Sequence, residues 1–234
     1  MAQFLSYTIL DAQIVDDMAG QAPSSDKRGR AITAEIRNIQ TKYSLETFRR
    51  KKLVSIKTDG TAYELSDLIT ENDVRGINDI QIVSDDTNFT DLTPVDYDTM
   101  IENIKTSRHV DCYSLYYEDG VQYLRVLTYD NDDTARDFNI IYDTTNVAVD
   151  SLGNFYADAV SGMSLYVLVP DRFLDLVSLG AQKRLFYQSI GEADSTQVAL
   201  VRNRYESELK KLGLDSVSKT NQRNDRKIKL HVQW

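Results

Sequence analysis

Apolar residues recur every third or fourth position at both ends of this chain and every second position in its middle. That change of period constrains the fold more than any other feature. The spacing predicts a first helix with Tyr7, Leu10, Ile14 and Met18 on one face and Gly20 closing it. A polar stretch from Gln21 to Arg30 leads into a second helix over 26–42, whose buried stripe is Ile32, Ile36, Ile39 and Tyr43. Near the other end, Pro170 is expected to open a helix with Phe173, Leu176, Val177, Gly180 and Arg184 along one side, ended by Gly191. Its hairpin partner is expected to begin at Asp194, with Gln197 in the reciprocal capping position. Val198, Val201, Tyr205, Leu209 and Leu212 follow at helical steps, and Gly213 with Leu214 behind it fits a glycine C-cap.

Between these helices the pattern is that of strands. Arg49 to Thr58 alternates with Val54 and Ile56 inward, and Asp59-Gly60 predicts a hairpin turn that returns the chain through Thr61 to Leu65. Ile77 to Val83 reads as a further strand. Thr93-Pro94-Val95-Asp96 predicts a helix start: threonine as the cap, proline in the first turn, aspartate at the positive end. Tyr97, Ile101 and Ile104 are its expected inner face. Val110, Cys112, Ser114 and Tyr116 alternate with Asp111, Tyr113, Leu115 and Tyr117. Asp119-Gly120 turns the chain, Val121 to Tyr129 alternates back, and Phe138, Ile140 and Tyr142 are expected to complete a three-stranded antiparallel meander. The expected class is therefore α+β. A helical bundle or hairpin comes from both chain ends (1–48 and 170–214), with an inserted antiparallel β domain, sandwich- or barrel-like, over 49–169. An extended basic C-terminal arm occupies 215–234.

Chemistry-bearing motifs are sparse. Zinc needs about four ligands, whereas His109 and Cys112 alternate to opposite sides of a strand and the only other histidine is His231. Asp130-Asn131-Asp132-Asp133 begins like a calcium loop, but the expected turn glycine is Ala135 and the expected bidentate acid is Ile141. Ser161-Gly162 lacks a neighbouring histidine, and no nucleophile-elbow or phosphate-loop pattern occurs. With 36 Asp and Glu residues, acid pairs are expected by chance. Arg49-Arg50-Lys51-Lys52 suits a solvated edge or an acidic neighbour, and cations are also favoured where a helix ends. The expectation is a protein that is not an enzyme and carries no catalytic residue, cofactor or metal. A net charge of −9 argues against general nucleic-acid binding, because phosphate contacts need a basic face. A single cysteine gives no sign of an oxidising compartment, and no stretch approaches the roughly 20 apolar residues of a membrane span. A protein made and kept in a cytoplasm, or in something assembled there, and without membrane contact, is expected.

The closing segment breaks from the rest. From Lys219 onward five Lys and Arg face one Asp, a charge of +4, which leaves −13 on the residues before it. Ile228, Leu230 and Val232 alternate with Lys229 and His231, and Trp234 ends the chain. Lys219, Arg223, Arg226, Lys227, Ile228, Lys229, Leu230, Val232 and Trp234 are thus the candidate partner-binding residues, suited to adding themselves to a groove or sheet edge.

Taken in order, the parts are amphipathic helices, RRKKLVSIKTDGTAYELS, LTPVDYDTM, the tyrosine-rich strands and VPDRFLDLVSLGAQKRLFYQSIGEADSTQVALVRNRYESELKKLG. This order, from about Leu10 to Leu214, resembles the adaptor (head-completion or neck) proteins of tailed bacteriophages. The resemblance implies helices carrying a β-sandwich-like insert, with an extended C-terminal arm. It also implies a homo-oligomeric, dodecameric ring in the virion neck, assembled in the host bacterial cytoplasm. Such a ring docks on a portal protein, meets a tail or nozzle protein, and extends the channel for genome DNA without sequence-specific binding. An acidic body is compatible, since a negative channel would let DNA slide. The alternative is a tyrosine-rich β-domain binding module for a protein or carbohydrate ligand.

Overall fold

The computed structural model describes residues 4–18, 22–43, 45–69, 74–84, 88–108, 110–129, 134–160, 163–189, 196 and 198–212. In chain order these give β1 (Phe4–Ser6), α1 (Tyr7–Asp17), α2 (Ser25–Lys42), a 3-10 turn (Glu46–Phe48), β2 (Arg49–Lys57) and β3 (Asp59–Glu64). Then come α3 (Leu65–Leu68), β4 (Val74–Val83), β5 (Phe89–Asp91), β6 (Thr93–Pro94) and α4 (Tyr97–Lys105). β7 (Cys112–Glu118), β8 (Val121–Leu127), β9 (Ala135–Thr144), β10 (Ala148–Asp150) and β11 (Phe155–Tyr156) follow. The series closes with β12 (Leu165–Pro170), a 3-10 turn (Asp171–Phe173), α5 (Leu174–Ser189) and α6 (198–212). The chain is a mixed α+β protein whose described residues form three open four-stranded sheets. It divides into two compact units, Met1–Phe48 with Thr145–Trp234 and Arg49–Thr144.

In the first unit the helical spacing acts as expected. Tyr7, Leu10, Ile14 and Met18 are buried, as are Ile32, Ile36 and Ile39 of α2, and all join one core with Leu176, Val177 and Leu185 of α5. Full burial of such a side chain contributes roughly 1.5–3 kcal/mol. Val198, Val201, Tyr205 and Leu212 of α6 are buried in the same core. The connection that precedes α6, with Gly191, Asp194 and Gln197, lies outside the described residues, as do Gly20 and Gly213. Asp11 and Arg28 tie α1 to α2 through paired bonds of 2.7 and 2.8 Å.

A sheet in the order β1-β12-β10-β11, antiparallel throughout, belongs to this unit. Leu5, Val167, Ala148 and Tyr156 form one row across it and face the core. The expected β domain of 49–169 is corrected here: residues 145–169 belong with the helices, because β12 pairs with β1 and Val147, Val149, Val167 and Val169 share the helical core. Alternation marks a strand without naming its partner. Pro170 likewise ends β12 instead of opening a helix, and α5 starts at Leu174 after a 3-10 turn.

The second unit has two sheets, β2-β9-β4-β5 and β3-β8-β7-β6. Val54, Ile56, Ile80, Phe138 and Ile140 of the first sheet share a core with Tyr113, Leu124 and Val126 of the second. Three sequence expectations are corrected in this unit. Asp59-Gly60 does not fold β2 back on itself: β2 pairs with β9 and β3 with β8, so the chain passes from one sheet to the other at Thr58. A corner of this kind needs the same glycine a hairpin would. Gly60 has φ 83, and a Cβ there would lie 2.5 Å from Ile104 Cδ1.

The three-stranded meander is the second correction. β7 and β8 do form a hairpin, with Asp119 and Gly120 both at positive φ (51 and 82), as a tight two-residue turn demands. β9, however, lies in the other sheet between β2 and β4, where Phe138 and Ile140 are fully buried. The third concerns α4. Its cap is Asp96, whose Oδ1 accepts the Thr99 N–H at 2.8 Å, while Thr93-Pro94 forms a short strand parallel to β7. Since the helix begins later than expected, Met100 and Asn103 face inward and Tyr97 is 41% exposed. Met100 meets Cys112 and Leu127 in a small second core on the outer face of the β7–β8 sheet.

Candidate functional site: a cationic cleft in the first unit

Glu35 interrupts the apolar stripe of α2 between Ile32 and Ile36, and its side chain is only 3% exposed. A carboxylate so deeply buried needs charge and hydrogen-bond partners. Arg184 Nε of α5 donates to its Oε2 at 3.1 Å. The Tyr205 hydroxyl of α6 donates to its Oε1 at 2.6 Å, and Asn38 Nδ2, one turn along α2, donates to Oε1 at 3.2 Å. Asn38 Nδ2 also donates to the Tyr205 oxygen at 3.1 Å. Burial first, and then the bond to Glu35, push the Tyr205 phenol well above its ordinary pKa, so it keeps its proton.

Gly180 makes this network possible. A Cβ at that position of α5 would sit 2.4 Å from Glu35 Cγ and Cδ. The missing side chain is the space in which the carboxylate lies.

Above the network opens a cleft of about 420 Å³, with Lys42, Lys183 and Tyr187 on its walls. Lys183 Nζ stands 4.8 Å from the Tyr205 ring centroid, within cation–π range. Among the described residues three cations and one carboxylate line the cleft, a formal excess of two positive charges inside an acidic protein. Among the described lining residues there is no serine, cysteine or histidine. What these groups can do chemically is bind and orient an anion.

The second unit presents a different surface. Tyr116 and Tyr123 are cross-strand partners on β7 and β8, their rings stacked at 5.5 Å, and Tyr97 adds a third ring 4.6 Å from Tyr116. Arg125 Nε donates to the Tyr116 hydroxyl at 3.1 Å and its Nη1 to the Gly60 carbonyl at 2.8 Å. Rings this close leave no slot between them, so an occupant would have to lie across their outer edges.

The residues singled out by sequence fall unevenly on this picture. Lys219, Arg223, Arg226, Lys227, Ile228, Lys229, Leu230, Val232 and Trp234 lie outside the described residues, as do His109, the loop 130–133 and Ser161-Gly162. Cys112 is buried beside Asn103, and burial raises its thiol pKa. Arg49 to Lys52 form the start of β2, an edge strand, with Lys51 Nζ 4.4 Å from the Phe89 ring centroid. Glu35, Asn38, Lys42, Lys183 and Tyr187 were not among the candidates. Arg184 and Tyr205 entered only as members of helical stripes. One signal was available: an acid inside one apolar stripe (Glu35) and an arginine inside another (Arg184), which together announce a buried pair.

Among the described residues no group of three or more His, Cys, Asp or Glu is placed to hold a metal ion, and no helix is long and apolar enough to cross a membrane. No protein-family model matches the chain, and no curated protein matches it either.

Proposed function

We propose that the chain is a head–tail adaptor of a tailed bacteriophage, a structural protein that acts without catalysis, cofactor or metal. The observation that carries this is the order of construction. One unit draws on both chain ends, and a two-sheet β unit over 49–144 is inserted between α2 and β10. That order matches what the resemblance to neck proteins implies. In this role copies of the chain form a dodecameric ring that docks on the portal protein and meets the tail or nozzle protein. The basic arm over 215–234, with Lys219 to Trp234 as its binding segment, reaches a portal or a neighbouring adaptor. Opposite charges, +4 from Lys219 to Trp234 and −13 on the residues before Lys219, guide docking. The site of action is the virion neck, after synthesis in the bacterial cytoplasm.

The test is assembly with a bacteriophage portal protein from the same genome as this chain, followed by mass photometry and electron microscopy. The full chain is expected to be monomeric at micromolar concentration and to add to the portal as a ring, and removal of 219–234 is expected to abolish that addition. A full chain that never joins the portal would refute the adaptor role, and an unchanged affinity after truncation would refute the arm's part in it.

The row of Tyr97, Tyr116 and Tyr123 with Arg125 favours a second function, a β-domain binding module for a protein or carbohydrate ligand. A ligand-dependent rise in the melting temperature that Tyr123→Ala removes would select it over the adaptor.

A further inference from the structure

Arg184 is held by one corner. Its Nε is engaged by the buried Glu35, and no partner among the described residues takes the two terminal nitrogens of the same guanidinium, which lines the cleft. The Arg184 side chain is 36% exposed, so these nitrogens belong to a group open to water. An arginine fixed by a buried carboxylate and open along its outer edge is pre-organised to grip a second carboxylate in two parallel bonds. Lys42, the last residue of α2, and Lys183 stand on the same cleft, and neither pairs with a carboxylate among the described residues. Tyr187, 44% exposed, offers an aromatic wall.

We propose that this cleft is a receptor for an acidic peptide segment of a partner protein. One Glu or Asp side chain of the segment is received end-on by the outer edge of Arg184, and its neighbours are attracted by Lys42 and Lys183. Two features favour a carboxylate over a general counter-ion role. The fork of Arg184 matches a carboxylate's planar geometry, and Glu35 neutralises only part of the lining charge, leaving an excess for an incoming acid. Arg184 is the specificity-setting contact, and Glu35 is a positioning residue that acts through it. The inference does not depend on the adaptor role, since it concerns only what the cleft binds.

The experiment is fluorescence anisotropy with a labelled octaglutamate peptide and the full chain at low and at physiological salt. The wild-type protein is expected to bind, more weakly as salt rises. The double variant Lys42→Ser with Lys183→Met keeps the packing on Tyr205 and is expected to weaken binding about tenfold or more. Arg184→Lys keeps the charge beside Glu35 but loses the fork, and is expected to weaken binding comparably while circular dichroism stays unchanged. Binding that survives both variants but falls with Lys51→Ser and Lys52→Ser would overturn the proposal, because the peptide would then be using the basic edge of β2. A labelled octathymidylate that binds more tightly than octaglutamate, and loses affinity in the same cleft variants, would also overturn it, as would no peptide binding even at low salt.

Discussion

The two units bury their side chains by different means. In the first, one continuous core runs from α1 to α6 and under the β1-β12-β10-β11 sheet, and a charged network anchored on the buried Glu35 links Arg184 and Tyr205 at the floor of the cleft. In the second, two sheets share one core, and α4 seals a separate small cluster around Met100 on the far side of the β7–β8 sheet. Helices meet wherever stripes and small residues allow, so the first unit depends on a few exact contacts such as Gly180 against Glu35. Strands meet by register, so the second unit depends on ladders such as β2–β9, in which each residue from Arg49 to Lys57 has its partner on β9. The lesson is that one unit is sensitive at points and the other along lines.

The largest effects should come from the two cores. Phe138→Ala in the middle of β9 is expected to cost about 3–5 kcal/mol, and Leu10→Ala in α1 about 2–5 kcal/mol. Urea titration followed by circular dichroism should show Phe138→Ala advancing the loss of strand signal and Leu10→Ala the loss of helix signal. If both variants advance a single common transition, the two cores melt as one and the contrast fails.

Next in size is a pair of glycine substitutions. Gly180→Ala places a methyl against the immobile stem of Glu35 and should cost about 1–3 kcal/mol, outweighing the ~1 kcal/mol that alanine gains in a helix. Gly76→Ala on β4 meets nothing within 4 Å and is expected to change stability by less than about 0.5 kcal/mol. Equal effects at both positions would remove the argument for point sensitivity.

What was legible in the sequence follows the same division. The stripes of α1 and α2 and those in α5 and α6 could be read because a helix is a local object whose inward face is set by its own period. Asp119-Gly120 could be read because a two-residue hairpin turn is local as well. The partner of β9, the sheet change at Thr58 and the assignment of β10 to β12 were hidden, because pairing is decided between residues such as Leu5 and Val167 that lie far apart in the chain. The cleft was hidden for a related reason. Glu35, Arg184 and Tyr205 come from three helices, and only the fold brings them together. The start of α4 was misread because Thr93, Pro94 and Asp96 each suit a helix N-terminus, and only backbone geometry selects Asp96.

That last point yields a smaller test. Asp96→Ala removes the acceptor for the Thr99 N–H and should cost about 1 kcal/mol, whereas Thr93→Ala should stay within about 0.5 kcal/mol. Thermal melts of the two variants would show it, and a larger loss at Thr93 would restore threonine as the cap.

The subtlest difference is in pH. Burial foremost, then the charge of Asp11, raises Tyr7 to about 12 from an ordinary 10.0, and Tyr205 is raised as well. A raised phenol favours the folded state while it is protonated. The stability it contributes is therefore intact below pH 10 and is lost as the pH climbs through about 12. Asp150 runs the other way. Its hydrogen bond from Asn154 is the main reason it lies at about 2, below an ordinary 3.8, so its contribution is present above pH 3.8 and lost as the pH falls through about 2. Asp150 is only half-buried, and its effect should be the smaller. Melting temperatures between pH 8 and pH 12 should fall with loss of the buried tyrosines' contribution, and Tyr7→Phe should blunt that fall. An identical alkaline profile for Tyr7→Phe would show that Tyr7 does not govern it.

The way the chain enters and leaves the second unit has a mechanical consequence. Arg49 opens β2 and pairs with Asp143, next to the end of the neighbouring antiparallel strand β9, so both connections depart from the same end of one ladder. Tension passed along the backbone through these two leads would not slide the strands lengthwise against all their hydrogen bonds at once. It would peel them apart from Arg49 toward Lys57, one residue pair after another, a low-force opening that works like a zip. Once peeled, the unit could release on the order of 300 Å of extended chain. A pull on these two leads would thus find in the β unit a soft extensible element.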